Sequence, residues 1–211
     1  SEEPQPVLLP SLFDSVFFSR LYLLCVFFLH VTYFYTTIHL CPSPPIVSLL
    51  FENMEQITFS KRDIIQKEGR LSFYLYFVER GIVRSFISRE NKDVTIYIVA
   101  EGDTPLDSVG LTEILNSKFS IEAIEDVVLW RIHKKQLKSL CSNSVVFANF
   151  CRQLLETQMR EIEVYWTEYY WMDKKEQYKL MLKRQPEIFQ RISLKDIASY
   201  LNVTPQSLSR I

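Results

Sequence analysis

Glycine is scarce in this 211-residue chain, with four residues that all lie between Phe51 and Leu140. No P-loop, dinucleotide fingerprint or nucleophile elbow is present, so the common nucleotide-dependent and hydrolytic chemistries lack their motifs. The four cysteines, Cys25, Cys41, Cys141 and Cys151, form no C-x-x-C pair. Their wide spread fits free thiols in a reducing compartment and supplies no iron–sulfur cluster. His30, His39 and His133 make no i, i+4 pair, so a metal signature is missing as well. No catalytic residue, metal site or cofactor is expected, and nothing argues positively for an enzyme.

One absence of charge is local. Leu21 to Leu40 contains no Lys, Arg, Asp or Glu over twenty residues, about the length that spans a bilayer. Cys41-Pro42-Ser43-Pro44-Pro45 ends it sharply. Three readings stay open for residues 1–50, a hydrophobic N-terminal extension: a membrane span, a buried helix or strand pair, and translation of sequence that is not native coding. The chain starts on Ser and stops seven residues into a helix, which reads as part of a longer product.

Beyond residue 50 the chain is patterned. From Phe51 to Leu140 short runs rich in Ile, Val, Tyr and Phe alternate with turns, at Ile57–Phe59, Asp63–Gln66, Phe73–Val78, Ile82–Ile87, Asp93–Val99, Ser120–Ile124 and Val127–Ile132. Such spacing predicts an antiparallel sandwich or barrel over residues 51–141. Three of the four glycines fall at strand junctions, where a positive φ is needed. His133 to Cys141 reads as a short helix, and Asn143 to about Met172 as a long one without Gly or Pro. Ala148, Leu155, Ile162 and Tyr169 recur every seven residues, a stripe suited to pairing with a twin helix over residues 142–172. The alternative is burial against its own domain. Asp173 to Gln190 is again helical, with Pro186 interrupting it.

Leu194 to Ile211 (LKDIASYLNVTPQSLSRI) is the most informative stretch. Leu194, Ile197, Ala198 and Leu201 share one helical face. Asn202 stands where the chain must turn, since Asn accepts a left-handed backbone. Thr204 then caps a second helix with Pro205 at its first position. Leu208 and Ile211 point back, leaving Gln206, Ser207, Ser209 and Arg210 outward. The pattern is that of a helix-turn-helix, whose second helix enters the DNA major groove. An ordinary helical hairpin is the competing reading. Charge supports the first: Asp173 to Ile211 holds eight basic against four acidic residues, a net of +4 on a chain of net −1.

In this order the parts resemble the Crp/Fnr family of transcription regulators, from about Phe51 onward. Ile64-Ile65-Gln66-Lys67-Glu68-Gly69, Phe77-Val78-Glu79-Arg80-Gly81, Glu101-Gly102-Asp103 and Ile192 to Ile211 carry the resemblance, which is nearest to Bacteroidetes-like members. It implies an α+β chain: an antiparallel jelly-roll β-roll of the cyclic-nucleotide-binding type, a long dimerisation helix, then a winged-helix domain at residues 173–211 that is incomplete at its C-terminus. Gln206 and Arg210 would reach base edges, with Thr204, Ser207 and Ser209 near phosphates or bases. Arg191 and Lys195 would contact phosphates. Pro205 departs from members with a basic residue there, so their preferred site cannot be copied.

Cyclic-nucleotide-binding members carry a Gly-Glu dipeptide and an Arg-Ser pair that grip the cyclic phosphate. Thr104 to Ser120 lacks Gly-Glu, and Ser117-Lys118 stands near the place of Arg-Ser. A lone lysine lacks arginine's two-pronged geometry, so tight cyclic AMP binding is not expected. The resemblance implies a cytoplasmic homodimer on double-stranded DNA, with RNA polymerase a candidate partner and the small-molecule effector unassigned. Two alternatives remain: a sensor module whose helix-turn-helix is non-functional, and a membrane-tethered regulator.

Overall fold

The computed structural model describes residues 49–90, 92–105 and 110–211, so Leu21 to Leu40 and its three readings lie outside the described residues. The described residues belong to one compact unit, Pro42–Ile211. Among them no helix is long and apolar enough to cross a membrane.

Among the described residues seven strands form two antiparallel sheets: β1 (Glu55–Phe59), β2 (Ile64–Gln66), β3 (Tyr74–Arg80), β4 (Val83–Arg89), β5 (Lys92–Val99), β6 (Ser120–Ala123) and β7 (Val127–His133). One sheet has the order β1-β7-β3 and the other β2-β6-β4-β5, as expected for a β-roll. Side-chain alternation sends Tyr76, Val78, Val83, Val99, Ile121, Ala123, Val127 and Leu129 into the space between them. Val78, Val83, Ile121 and Leu129 have no exposed surface, and each such side chain contributes about 1.5–3 kcal/mol. Leu75, Phe77, Trp130 and Ile132 take the other face of the three-stranded sheet and are buried too. There α1 (Lys134–Asn143) lies against β7. Burial on both faces explains why Leu75 to Val78 is an unbroken apolar run.

The long helix is α2 (Val145–Val164), shorter than the sequence pattern suggests. A π-helical turn, Tyr165–Tyr169, succeeds it. Tyr165 and Tyr169 stack there at 5.8 Å, and the Gln177 side-chain amide donates to the carbonyls of Tyr169 and Met172 at 2.9 and 3.1 Å. A π turn takes up one extra residue, so it shifts the seven-residue repeat out of phase at Tyr169. The expected single helical segment from Asp173 to Gln190 is two helices, α3 (Lys174–Arg184) and α4 (Pro186–Arg191). Asp173 and Glu176 close a capping box on α3, while Pro186 starts α4 because it cannot continue a helix.

Gly81, between β3 and β4, has φ +102°, and a Cβ there would stand 2.6 Å from Val127 Cγ1. Left-handed backbone and a filled neighbour both demand glycine. Gly81→Ala should lower unfolding stability by roughly 1–3 kcal/mol, read as a shift in urea midpoint. An unchanged midpoint would mean that the turn relaxes freely.

Candidate functional site

Two helices and a turn form the C-terminal end: α5 (Leu194–Tyr200) and α6 (Pro205–Leu208). Asn202 has φ +52°, as the turn requires, and Val203 N–H donates to the Ala198 carbonyl at 2.9 Å. Thr204 Oγ1 accepts from Ser207 N–H at 3.1 Å, capping α6 with Pro205 at its first position. Ile197, Ala198, Leu201 and Leu208 are buried, with Ile211 half-buried against them. Leu194 is not part of that core; it is 55% exposed, whereas Ile192, just before the helix, is buried in it. The candidate contacts Thr204, Gln206, Ser207, Ser209 and Arg210 are all exposed, as is Lys195. Two of the hydroxyls also bond within α6: Ser207 Oγ lies 2.9 Å from Thr204 Oγ1, and Ser209 Oγ donates to the Pro205 carbonyl at 2.9 Å.

The opposite side of α5 is not solvated. It rests on β5, over the outer face of the four-stranded sheet. Asp196, only 2% exposed, accepts both prongs of the Arg62 guanidinium at 3.1 Å and the Ser193 hydroxyl at 2.6 Å. Burial pushes this carboxyl up, but the bonds from Arg62 and Ser193 outweigh it and hold it below the usual Asp range. Arg62 itself stands in the β1–β2 turn at φ +75°, an uncommon backbone for a side chain of its size. Beside it, Arg84 Nε donates to Glu122 at 2.6 Å across β4 and β6, and Arg84 also donates to Thr95 at 3.2 Å. Ser199 Oγ takes the Thr95 N–H at 3.1 Å and donates to the Asp93 carbonyl at 3.0 Å. Lys92 Nζ reaches Asn202 Oδ1 at 3.1 Å.

A second ionic contact lies at the end of α4. Arg191 donates to both oxygens of Glu101, at 2.9 and 2.7 Å, and also to Glu125. The hydrogen bonds that Arg191 donates to Glu101 raise its pKa further, so it stays charged. Glu101 also accepts the Gly81 N–H at 2.7 Å and is held below its ordinary range despite burial. Arg191, expected on phosphate, is therefore engaged by two carboxylates of the β-roll. Apolar packing joins the same parts: Ile82 and Ile124 share one core with Met181, Ile188, Ile192 and Ile197. Arg62, Asp196 and Glu125 carry no sequence signal for this contact, and Glu101 stands out in sequence only as part of the Glu101-Gly102-Asp103 turn. The one available signal was Arg84, a charge inside the Ile82–Ile87 strand that implies a covered second face.

The candidate ligand residues part company. Ser117 is buried in a turn, its hydroxyl donating to the Phe119 carbonyl at 2.6 Å, whereas Lys118 is exposed. A groove of about 490 Å³ on the three-stranded sheet is lined by Glu55, Tyr74, Arg131 and His133 among others, and includes neither of them. On α2, Leu155 is 39% exposed and Met159 66%, while Ala148 and Ile162 are half-buried. Tyr169 is not brought together with that stripe. It packs against the core of α3 to α6 and meets Arg184, whose Nη1 donates to its hydroxyl at 3.2 Å.

This architecture is that of a cyclic-nucleotide-binding β-roll followed by helices. Residues 56–144 match the family model of the cyclic nucleotide-binding domain. Among solved structures, FixK2 from Bradyrhizobium japonicum is 18% identical with a TM-score of 0.63, covering 74% of this chain and 81% of its own. The Catabolite Activator Protein of Thermus thermophilus is 18% identical at a TM-score of 0.52, covering 80% and 81%. A protein from Eubacterium rectale classed with the crp/fnr family of transcriptional regulators is 21% identical at 0.60, covering 80% and 81%. At these identities the likeness establishes a common fold. No curated protein sequence matches the chain significantly.

Because the Asp196 pKa is lowered by folding, its contribution is present above the unfolded Asp pKa of ~3.9 and fades as pH falls through the folded value. Asp196→Asn should cost about 1–3 kcal/mol at neutral pH, a range reduced because Arg62 is 42% exposed. In denaturant titrations the gap between variant and parent should begin to narrow below roughly pH 4 and close once the pH falls below the lowered native-state value. A gap that persists there would remove the ion pair as its cause.

Proposed function

We propose that this chain is a sequence-specific DNA-binding transcription regulator of the Crp/Fnr type, acting as a homodimer and answering to an effector other than cyclic AMP. One observation carries the reading: α6 seats Leu208 on Ile197, Ala198 and Leu201 while Gln206, Ser207, Ser209 and Arg210 face solvent. Arginine pairs in bidentate fashion with guanine O6 and N7, and glutamine with adenine N6 and N7. Thr204, Ser207 and Ser209 would add phosphate or base contacts, and Lys195 a phosphate contact. Arg191 would join them by exchanging Glu101 and Glu125 for a phosphate oxygen. Dimerisation is assigned to the α2 stripe of Ala148, Leu155 and Ile162, with Met159 beside it. Double-stranded DNA and RNA polymerase would be its partners and the cytoplasm its compartment.

The alternative is a sensor module with a silent helix-turn-helix, which the engagement of Arg191 by β-roll carboxylates favours. Selection from random duplexes separates the two. The full-length protein should enrich a pseudo-palindrome with half-sites about one helical turn (~34 Å) apart. On that site Arg210→Ala should lose about 1–3 kcal/mol of discrimination at one base pair. Equal loss on every sequence would reduce Arg210 to a phosphate contact, and no enrichment would favour the sensor.

The ligand half has its own test. Ser117 is committed to a turn, which leaves Lys118 of that pair to meet an anion, so calorimetry with cyclic AMP should show no tight binding. Micromolar or better affinity would overturn this part of the proposal.

A further inference from the structure

Cys141 and Cys151 lie ten residues apart, on α1 and on the second turn of α2, yet fold into contact. The Cys141 thiol donates toward Cys151 Sγ, and the sulfurs are 3.4 Å apart. Ser144 is the single residue between the two helices, and its amide still bonds back to the Leu140 carbonyl at 3.0 Å. Phe147, in the first turn of α2, is fully buried. Cys141 is partly open to solvent, whereas Cys151 is buried. This unequal exposure suits an oxidation in which one sulfur meets the oxidant and the other resolves it.

We propose that Cys141 and Cys151 are a thiol-oxidation site, converted by hydrogen peroxide to a reversible disulfide that ties α1 to α2. Cys141 sulfur, as the thiolate, attacks one peroxide oxygen. The O–O bond breaks, hydroxide leaves and takes up a proton as water, and Cys141 becomes a sulfenic acid. Cys151 sulfur then attacks the Cys141 sulfur. The S–O bond breaks, the departing hydroxide takes the Cys151 proton, and a second water leaves. In sum, two thiols and one peroxide give one disulfide and two waters, with two electrons passing from sulfur to oxygen. Burial beside Cys141 pushes the Cys151 thiol well up, which keeps it protonated and assigns the first attack to Cys141. Closing from 3.4 Å to a bond of ~2.05 Å needs only small side-chain movement. A thiol returns the pair to its reduced state, as suits a chain whose cysteines are otherwise spread for a reducing compartment.

The sequence makes the test direct. Both residues fall in one tryptic peptide, 139–152, bounded by Lys138 and Arg152. The reduced full chain is treated with hydrogen peroxide, denatured in N-ethylmaleimide and digested without reductant. The proposal expects peptide 139–152 unalkylated and two hydrogens lighter, with dithiothreitol restoring both thiols. Cys151→Ala should instead leave a sulfenic acid on Cys141, trapped by dimedone, and Cys141→Ser should leave Cys151 unoxidised. Full alkylation of both cysteines after peroxide, or bonds formed mainly to Cys25, Cys41 or a second chain, would overturn it. Dimedone trapping on Cys151 rather than Cys141 would reverse the assigned order and contradict the mechanism.

Discussion

The forked ion pair between Arg62 and Asp196 sets where the helix-turn-helix stands on the β-roll. An aspartate with 2% exposure carries a large desolvation cost unless a cation meets it with matched geometry. Arg62 supplies that geometry from a left-handed turn, and Ser193 takes one of the same oxygens while its hydroxyl also caps α5. The pair is therefore bound into both the cap of a helix and a turn of the sheet. Arg84 and Glu122 extend it sideways, and Arg191 with Glu101 repeats the arrangement at the end of α4. Apolar packing across Ile82, Ile124 and Ile197 then closes on a position that the charges have fixed.

Both faces of α5 are consequently occupied. One holds the buried residues that seat α6, and the other lies on β5. This leaves α6 as the free side of the motif, with its polar side chains outward. In the proposed regulator the same docking would set the angle of α6 relative to α2, and so the separation of two recognition helices in a dimer. In that proposal Arg191 would exchange one partner for another, since a carboxylate and a phosphate are both bidentate partners for a guanidinium.

Much of this was legible in the residues. Strand positions followed from β-branched and aromatic runs broken by turns, and Asn202, Thr204 and Pro205 marked the turn and second helix by local chemistry alone. Local signals failed where the outcome depended on tertiary neighbours. Leu194 fits the helical face by spacing, yet it is exposed while Ile192 joins the core. Nothing local marks Asp196 for burial, which follows from the approach of the sheet and of the turn that carries Arg62. Tyr169 keeps the heptad spacing, but a π turn rotates it away from Leu155 and toward Arg184. Cys141 and Cys151 lack any motif spacing and meet only because a one-residue joint folds α2 back on α1. Ser117 lies at a ligand position by order along the chain, but its buried hydroxyl is engaged with Phe119.

Methylation interference on the selected duplex tests the central claim most directly, because methyl groups at guanine N7 project into the major groove and those at adenine N3 into the minor groove. The account predicts that guanine methylation blocks binding by the full-length protein in two clusters about one helical turn apart. Interference confined to adenine N3, or none at either position, would contradict it.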